Sequence, residues 1–264
     1  VADTATEPGR PDKLHEVDRK SAALEVAIDG RHFTSAGGER LHAVGRLHFS
    51  LPPRSFTCIV GPSGCGKTTT LRMILGLDTG YRGRVLMNER TRVGTVFQEP
   101  RLLPWRSVEQ NVRLALPGGP GASMDDSLDA LFAELGLSDH RDLFPGELSL
   151  GLARRVALAR AFAQQPGLLV LDEPFVSLDE TTAHRLRALL MRVWQARPTT
   201  ALMVTHDLDE AVQLADRVLV FGPAPATVRA KIDLGMPRQR RDATWREAAV
   251  RRLRAAEKEV PGLA

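Results

Sequence analysis

Residues 147–179 read ELSLGLARRVALARAFAQQPGLLVLDEPFVSLD, and their order decides the fold: a polar helix start, a helix-forming run, a breaker pair, an apolar strand and two adjacent acids. Leu168 to Leu171 follows Pro166 and Gly167 as a short continuous apolar run, the pattern of a strand buried on both faces of a parallel sheet. Asp172 and Glu173 stand at the carboxyl end of that strand. Open α/β sheets collect their ligands at this edge, so the paired carboxylates are placed to serve a metal and a water. A capped strand end without chemistry is the alternative reading of the same two acids.

Upstream, Thr57 to Val60 runs into GPSGCGKT, Gly61 to Thr68, and then into apolar residues at helical spacing, Leu71, Ile74 and Leu75. A strand, a glycine-rich loop and a helix in succession make the setting a phosphate-binding loop needs. Gly61, Gly64 and Gly66 permit a tight turn that brings backbone N–H groups to phosphate oxygens, with the helix start adding its positive end. Lys67 supplies a point charge for β and γ phosphates, and the Thr68 hydroxyl a ligand for Mg²⁺. Pro62, Ser63, Cys65 and Thr69 complete the expected cradle for ATP. A chance match becomes remote once the loop is bracketed by strand and helix and followed by an acid-ended strand. The expected fold class is α/β, with a P-loop NTPase core.

Further motifs stand in a fixed order around these two. Gln98 lies in VFQEP, Leu148 to Leu152 reads LSLGL, Ser177, Leu178 and Asp179 follow the acids, and His206 follows the strand-like run Thr200 to Val204. In this set the chain resembles the ATP-binding subunit of an ABC transporter over roughly Leu24 to Gly222. The resemblance implies a RecA-like core carrying an antiparallel β subdomain and an inserted α-helical subdomain at about residues 100–155. It also implies ATP and Mg²⁺ as cofactors. In the implied roles Glu173 is the general base, His206 the switch histidine, and Gln98 the sensor of γ phosphate and metal. Thr68, Gln98 and Asp172 hold the metal. Phe33 stacks on the adenine, its placement being loose because of the loop at residues 35–40. Ser149, Gly151 and Asp179 meet the nucleotide of a second subunit.

One phosphate loop and one signature per chain therefore imply a head-to-tail pair, expected to be two copies of this chain, with transmembrane permease subunits and a separate solute-binding protein. The run LLPW at Leu102 to Trp105, with Asn111 and Val112 after it, resembles importers of the nitrate, sulfonate and taurine group. The expected place is the cytoplasmic face of a bacterial inner membrane. Two departures stand out. Leu150 and Leu152 replace the first glycine and the usual polar or methionine residue of the signature, and Pro53 and Arg54 stand where a glycine and an acid are common. A leucine costs little where φ is negative, so the expectation is an active, retuned site and a different turn at Pro53.

Composition fits a globular subunit: 264 residues, 43% apolar and 26% charged, with no apolar run near the roughly 18 residues of a membrane helix and no signal-peptide pattern. Cys58 falls in the strand and Cys65 in the loop, which speaks for a reducing compartment rather than a disulfide. Cys65 beside a helix start reads either as a reactive thiol or as a small residue that fits. The net charge of +4 is concentrated late: Thr227 to Lys258 holds ten Lys and Arg against four Asp and Glu. That segment suits an anionic surface, or a solvated helix flank whose stripe Trp245, Ala249, Leu253 and Ala256 packs on the core; no nucleic-acid partner is expected. The expected organisation is a flexible tail at 1–22, the ATPase domain at 23–222 and a basic C-terminal extension at 223–264. Trp105 reads equally as an exposed anchor or as a buried wedge. A non-transport ABC ATPase acting on ribosomes or nucleic acid, and an ATP-switched regulatory module, are the alternative functions.

Overall fold

The computed structural model describes residues 22–258 except 35, 36, 39 and 122–124, so nearly all of the expected N-terminal tail lies outside the described residues. In chain order the elements are β1 (Leu24–Thr34), β2 (Arg40–Val44), β3 (Leu47–Leu51), β4 (Phe56–Val60), α1 (Lys67–Ile74), β5 (Arg82–Met87) and β6 (Val93–Val96). Then come α2 (Val108–Arg113), α3 (Asp125–Leu135), α4 (Leu150–Ala163), β7 (Leu168–Asp172), α5 (Glu180–Ala196) and β8 (Thr200–Val204). The chain continues with α6 (Leu208–Leu214), β9 (Arg217–Phe221), β10 (Val228–Asp233) and α7 (Ala243–Lys258).

The main sheet has the order β10-β9-β4-β8-β7-β6. It is parallel except for β10, which joins β9 antiparallel at one edge. Every residue of β4, β7 and β8 is buried, because helices cover one face while α1 and a second sheet cover the other. Each fully buried Leu or Val of β7 contributes roughly 1.5–3 kcal/mol, which fixes Asp172 at its end and Glu173 just after it at a rigid edge. The second sheet is antiparallel: β1 pairs β3 and β5 along its first half and β2 along its second. Short strands were expected from residue 24 to 51. The structure instead bends one 11-residue strand at irregular register steps so that it serves both partners, with β5 as a later addition.

The helical insertion begins with a capping box, in which the Ser107 hydroxyl accepts from Gln110 N–H and Gln110 answers at Ser107 N–H. Asn111, fully buried, donates to the carbonyls of Leu103, Arg106 and Ser107 and accepts from Leu103 N–H. That pins the loop and leaves Trp105 70% exposed, on the outside rather than wedged between subdomains. α3 buries Leu128, Leu131, Phe132 and Leu135 and stops at Gly136, as its spacing predicts. The helical end expected near 155 falls inside α4, which runs unbroken to Ala163 and buries alanines against the core.

The C-terminal basic segment is built into the molecule. Its start, β10, is hydrogen-bonded to the core sheet, and α7 buries Val250, Leu253 and Ala256 against it, with Trp245 and Ala249 half-buried beside them. Arg241 donates to the carbonyls of Val212 and Ala215, and Arg238 to that of Leu214, so two of the arginines cap the C-terminal end of α6. The packed reading of this segment accounts for these arginines.

Candidate active site

Residues 61–66 connect β4 to α1 as a loop lying beneath β2. Gly66 has φ +110, and a Cβ there would lie 2.8 Å from the Ala43 carbonyl oxygen and 3.0 Å from Ala226 Cβ. Lys67 is buried and its ammonium donates to the carbonyls of Gly61 (2.8 Å) and Pro62 (2.9 Å), which leaves one proton for an external acceptor. Pro62, Ser63, Gly64 and Thr68 form an exposed lip, with Thr69 half-buried behind them.

Of the two readings of Cys65, the structure favours the small residue that fits the loop. Its thiol is buried at 1% exposure, and desolvation raises its pKa against the opposing pull of Lys67. A helix start lowers a thiol pKa only where the thiolate is solvated enough to exist. Cys58 is buried deeper and shifted upward more strongly for the same reason.

Across the loop stands the end of β7. The Thr68 hydroxyl donates to Asp172 Oδ1 at 3.2 Å. Burial raises the Asp172 pKa, with the neighbouring Glu173 charge adding to it and the Thr68 hydrogen bond opposing it. Gln98, just past β6, lines a cleft of about 180 Å³ together with Thr68, Arg72, Arg101 and Asp172. Hydroxyl, amide and carboxylate oxygens around one small cleft form a hard donor set, and a desolvated carboxylate gains most from a cation. The residues present therefore fit Mg²⁺ shared with phosphate oxygens and waters.

Glu173 is a strained residue of the site. Its φ of +44 is in the left-handed region, and its N–H is held by the Val204 carbonyl at 2.9 Å. Strain of this kind costs about 1–3 kcal/mol and persists where the surroundings impose it. Here they do: Arg154, 3% exposed on α4, donates to the carbonyls of Glu173, Pro174 and Val176. The Glu173 carboxylate Oε2 meets His206 Nδ1 at 3.1 Å. Arg154 was not singled out from sequence, because an arginine in a helix reads as a solvated charge until its partners are known.

The signature residues form the start of α4. Ser149 is its N-cap and accepts from Leu152 N–H at 3.3 Å, leaving its own hydroxyl proton free. Leu150 is 42% exposed at the first helical position and takes ordinary helical backbone, so its side chain strains nothing. Gly151 backs onto Thr182 of α5 so closely that a Cβ would lie 2.9 Å from that methyl. Asp179 is the N-cap of α5, accepting from Thr182 N–H at 2.9 Å, and hydrogen bonding from the Thr182 side chain first and its N–H second holds the carboxyl below the usual range. Phe33 lies near the end of β1, its ring covered by the Arg31 guanidinium at 4.1 Å, while Arg31 is held by Asp78 at 2.9 Å. One ring face is thus already taken. Arg54, in the unusual turn before β4, adopts φ +56 with its N–H on the Thr200 hydroxyl at 3.0 Å.

The structure thus brings Thr68, Gln98, Asp172, Glu173 and His206 to the carboxyl edge of the sheet, and sets Ser149, Gly151 and Asp179 at two neighbouring helix starts. Comparison with known proteins gives the family of the chain. Residues 44–176 match the family described as ABC transporter. An aliphatic sulfonates import ATP-binding protein, SsuB 2, of Burkholderia lata is 46% identical over 195 residues, 71% of each chain. One of the same name from Pseudomonas syringae pv. tomato is 41% identical over 228 residues, 83% of this chain and 91% of the relative. Among solved structures, the dimeric post-hydrolysis state of the ATP-binding cassette MJ0796, bound to ADP and Pi, aligns with TM-score 0.70 at 26% identity, over 81% of this chain and all of that one. The ATP-binding subunit of an ABC transporter aligns with TM-score 0.71 at 25% identity, over 90% of this chain and all of the other. A family match across half the chain and relatives at 41 and 46% identity leave one conclusion, that the chain belongs to the ABC transporter family and is an ATP-hydrolysing subunit within it.

Proposed function

We propose that the chain powers the import of aliphatic sulfonates or closely similar small anions, working as a head-to-tail pair of identical copies beneath a membrane permease that receives its cargo from a solute-binding protein. The substrate class is taken from the relatives, which are named for aliphatic sulfonate import. Pairing is supported by the similarity to a dimeric cassette. No helix among the described residues is long and apolar enough to cross a membrane, so the proposed place is peripheral, on the cytoplasmic face and held by the permease. Leu77, which lines the cleft with Gln98, and Trp105 in the loop that follows are both exposed and suit that contact.

The hydrolytic part rests on one observation, the strained Glu173 whose carboxylate sits 3.1 Å from His206 beside the Thr68 and Asp172 pair. In this reading the phosphates of ATP lie against the backbone N–H groups of residues 63–69, and the free proton of Lys67 serves them. Thr68, Asp172 and Gln98 would hold Mg²⁺, which when bound offsets charge on the β and γ phosphates. Glu173 accepts a proton from the attacking water through the oxygen not engaged by His206. His206 keeps Nδ1 on Glu173 and, when Nε2 also carries a proton, donates it to a γ-phosphate oxygen. Phe33 offers its uncovered face to the adenine. Ser149, through its free hydroxyl proton, and Gly151, through a helix-start N–H, serve the γ phosphate on the other copy, with Asp179 beside them.

The test is reconstitution of this chain with a candidate sulfonate permease and its solute-binding protein. Turnover stimulated by binding protein loaded with a short alkanesulfonate, and not by unloaded protein, is the expected result. Hydrolysis indifferent to permease and cargo would refute the transport reading.

A further inference from the structure

We infer that Arg187, Glu210 and Thr205 form a buried clasp that positions His206 and ties its loop to α5. The Thr205 hydroxyl donates to Glu210 Oε2 at 2.7 Å and accepts from Asp207 N–H at 3.0 Å, so a single side chain pins the backbone on both sides of His206. Asp207 in turn caps α6 through Asp209 N–H (2.7 Å) and Glu210 N–H (3.2 Å), which fixes the helix that carries Glu210. The other Glu210 oxygen faces Arg187 Nη1 at 3.5 Å, and Arg187 Nη2 reaches Glu180 Oε1 at 2.5 Å on the first turn of α5.

The clasp is built rather than incidental. The Arg187 and Glu210 side chains are 9% and 10% exposed, and buried charges are retained only when paired and hydrogen-bonded. The Arg187 guanidinium also lies over Phe175, two residues beyond Glu173, at 5.9 Å. The cluster therefore touches the segments that bear both Glu173 and His206, yet no member of it is placed to meet nucleotide. Its far end is open: Glu180 is 83% exposed and follows Asp179 at the head of α5. A shift of that helix start is carried by Arg187 and Glu210 to the histidine loop, so the clasp connects the exposed head of α5 to the placement of His206. Thr205, Glu210 and Arg187 are positioning residues in this assignment, which rests on the reading of His206 as a hydrolytic group.

Thr205→Val removes the hydroxyl without changing volume or charge, and Thr205→Ser restores it. In the purified full chain with Mg²⁺ and ATP, the expected result for Thr205→Val is a fall of about tenfold in kcat with KM for ATP within about twofold, and return toward the parent in Thr205→Ser. Glu210→Gln is the second variant should the valine fold poorly, with the same split expected. A kcat at the parent level in both Thr205→Val and Glu210→Gln, while His206→Ala is inactive, overturns the clasp and leaves the histidine reading intact. Parent-level turnover in His206→Ala overturns the histidine reading, and the clasp's role with it. A fall in melting temperature with kcat and KM both unchanged identifies a structural contact only and also overturns the assignment.

Discussion

Gly66→Ala tests whether the phosphate loop is held where the structure puts it. Gly66 has φ +110 and ψ 12, outside the regions an alanine adopts without strain, which costs about 1–3 kcal/mol. The new methyl would also meet the Ala43 carbonyl at 2.8 Å and Ala226 Cβ at 3.0 Å. Neither neighbour can swing away. Ala43 O accepts from Ala226 N–H, and Gly45 N–H donates back to Ala226 O, so both belong to one backbone ladder. Overpacking of this kind adds about 1–3 kcal/mol. The stiffer unfolded chain returns only about 0.4–1 kcal/mol. The net loss is about 3 kcal/mol, and for a domain of this size it lowers Tm by roughly 6–12 °C. Relief of the overlap must come from the loop and the start of α1, which carry the amides and Lys67, so nucleotide affinity falls at least about tenfold, or ~1.4 kcal/mol. Thermal melts with and without Mg²⁺-ATP, together with titration of a fluorescent ATP analogue, read both numbers. A Gly66→Ala protein with parental Tm and parental affinity would refute the placement of the loop beneath β2.

Three further outcomes follow from the site. Arg154→Met keeps the bulk and apolar contacts but removes charge-assisted bonds to three carbonyls, one buried and two partly buried, so it lowers stability by about 2–4 kcal/mol in a melt and lowers kcat as Glu173 relaxes from φ +44. Asp172→Asn abolishes Mg²⁺-dependent turnover yet raises the Tm of the nucleotide-free protein at neutral pH. Burial raises the folded pKa of Asp172, so the native state binds the extra proton and stability is lost as pH rises through that pKa. The gain from Asp172→Asn is accordingly present at pH 7–8, shrinks on acidification and vanishes below the unfolded pKa of about 3.9, as melts across pH will show. Leu150→Gly lowers stability by about 1 kcal/mol through lost helix propensity and changes turnover by less than about tenfold, because Leu150 already has helical backbone and the signature N–H groups do not depend on its side chain. A larger rise in turnover would show that the native leucine obstructs the site.

What the sequence disclosed was the chemistry carried by contiguous residues. The run Leu168 to Asp172 announces a buried strand ending in an acid, and the glycine spacing of residues 61–66 announces a phosphate loop, because backbone geometry and residue type coincide locally at both places. What stayed hidden depends on distant partners. Arg154 and Arg187 look like solvated charges on helices until the carbonyls at 173–176 and the carboxylate of Glu210 are brought to them. The basic segment after residue 227 read either as a surface for an anion or as a helix flank packed on the core; the packing stripe was legible, but not that Arg238 and Arg241 are spent on the end of α6. Cys65 was left between two readings for a similar reason, and its burial favours the small residue that fits: a helix start is legible in sequence, whereas the burial that cancels its effect on a thiol is not. The capacity of β1 to serve three partner strands was equally invisible, since register steps leave no mark on residue type.

The central claim is that Glu173 is the base of an ATP site completed by a second copy. Its most direct test compares ATP hydrolysis and ATP-dependent dimerisation in the parent and in Glu173→Gln. The account predicts turnover in the parent, with hydrolysis reduced by about 10²-fold or more in the variant and a stable ATP-bound dimer resolved by size-exclusion chromatography with light scattering. A Glu173→Gln protein that hydrolyses ATP at the parental rate, or that remains monomeric with saturating ATP, would contradict it.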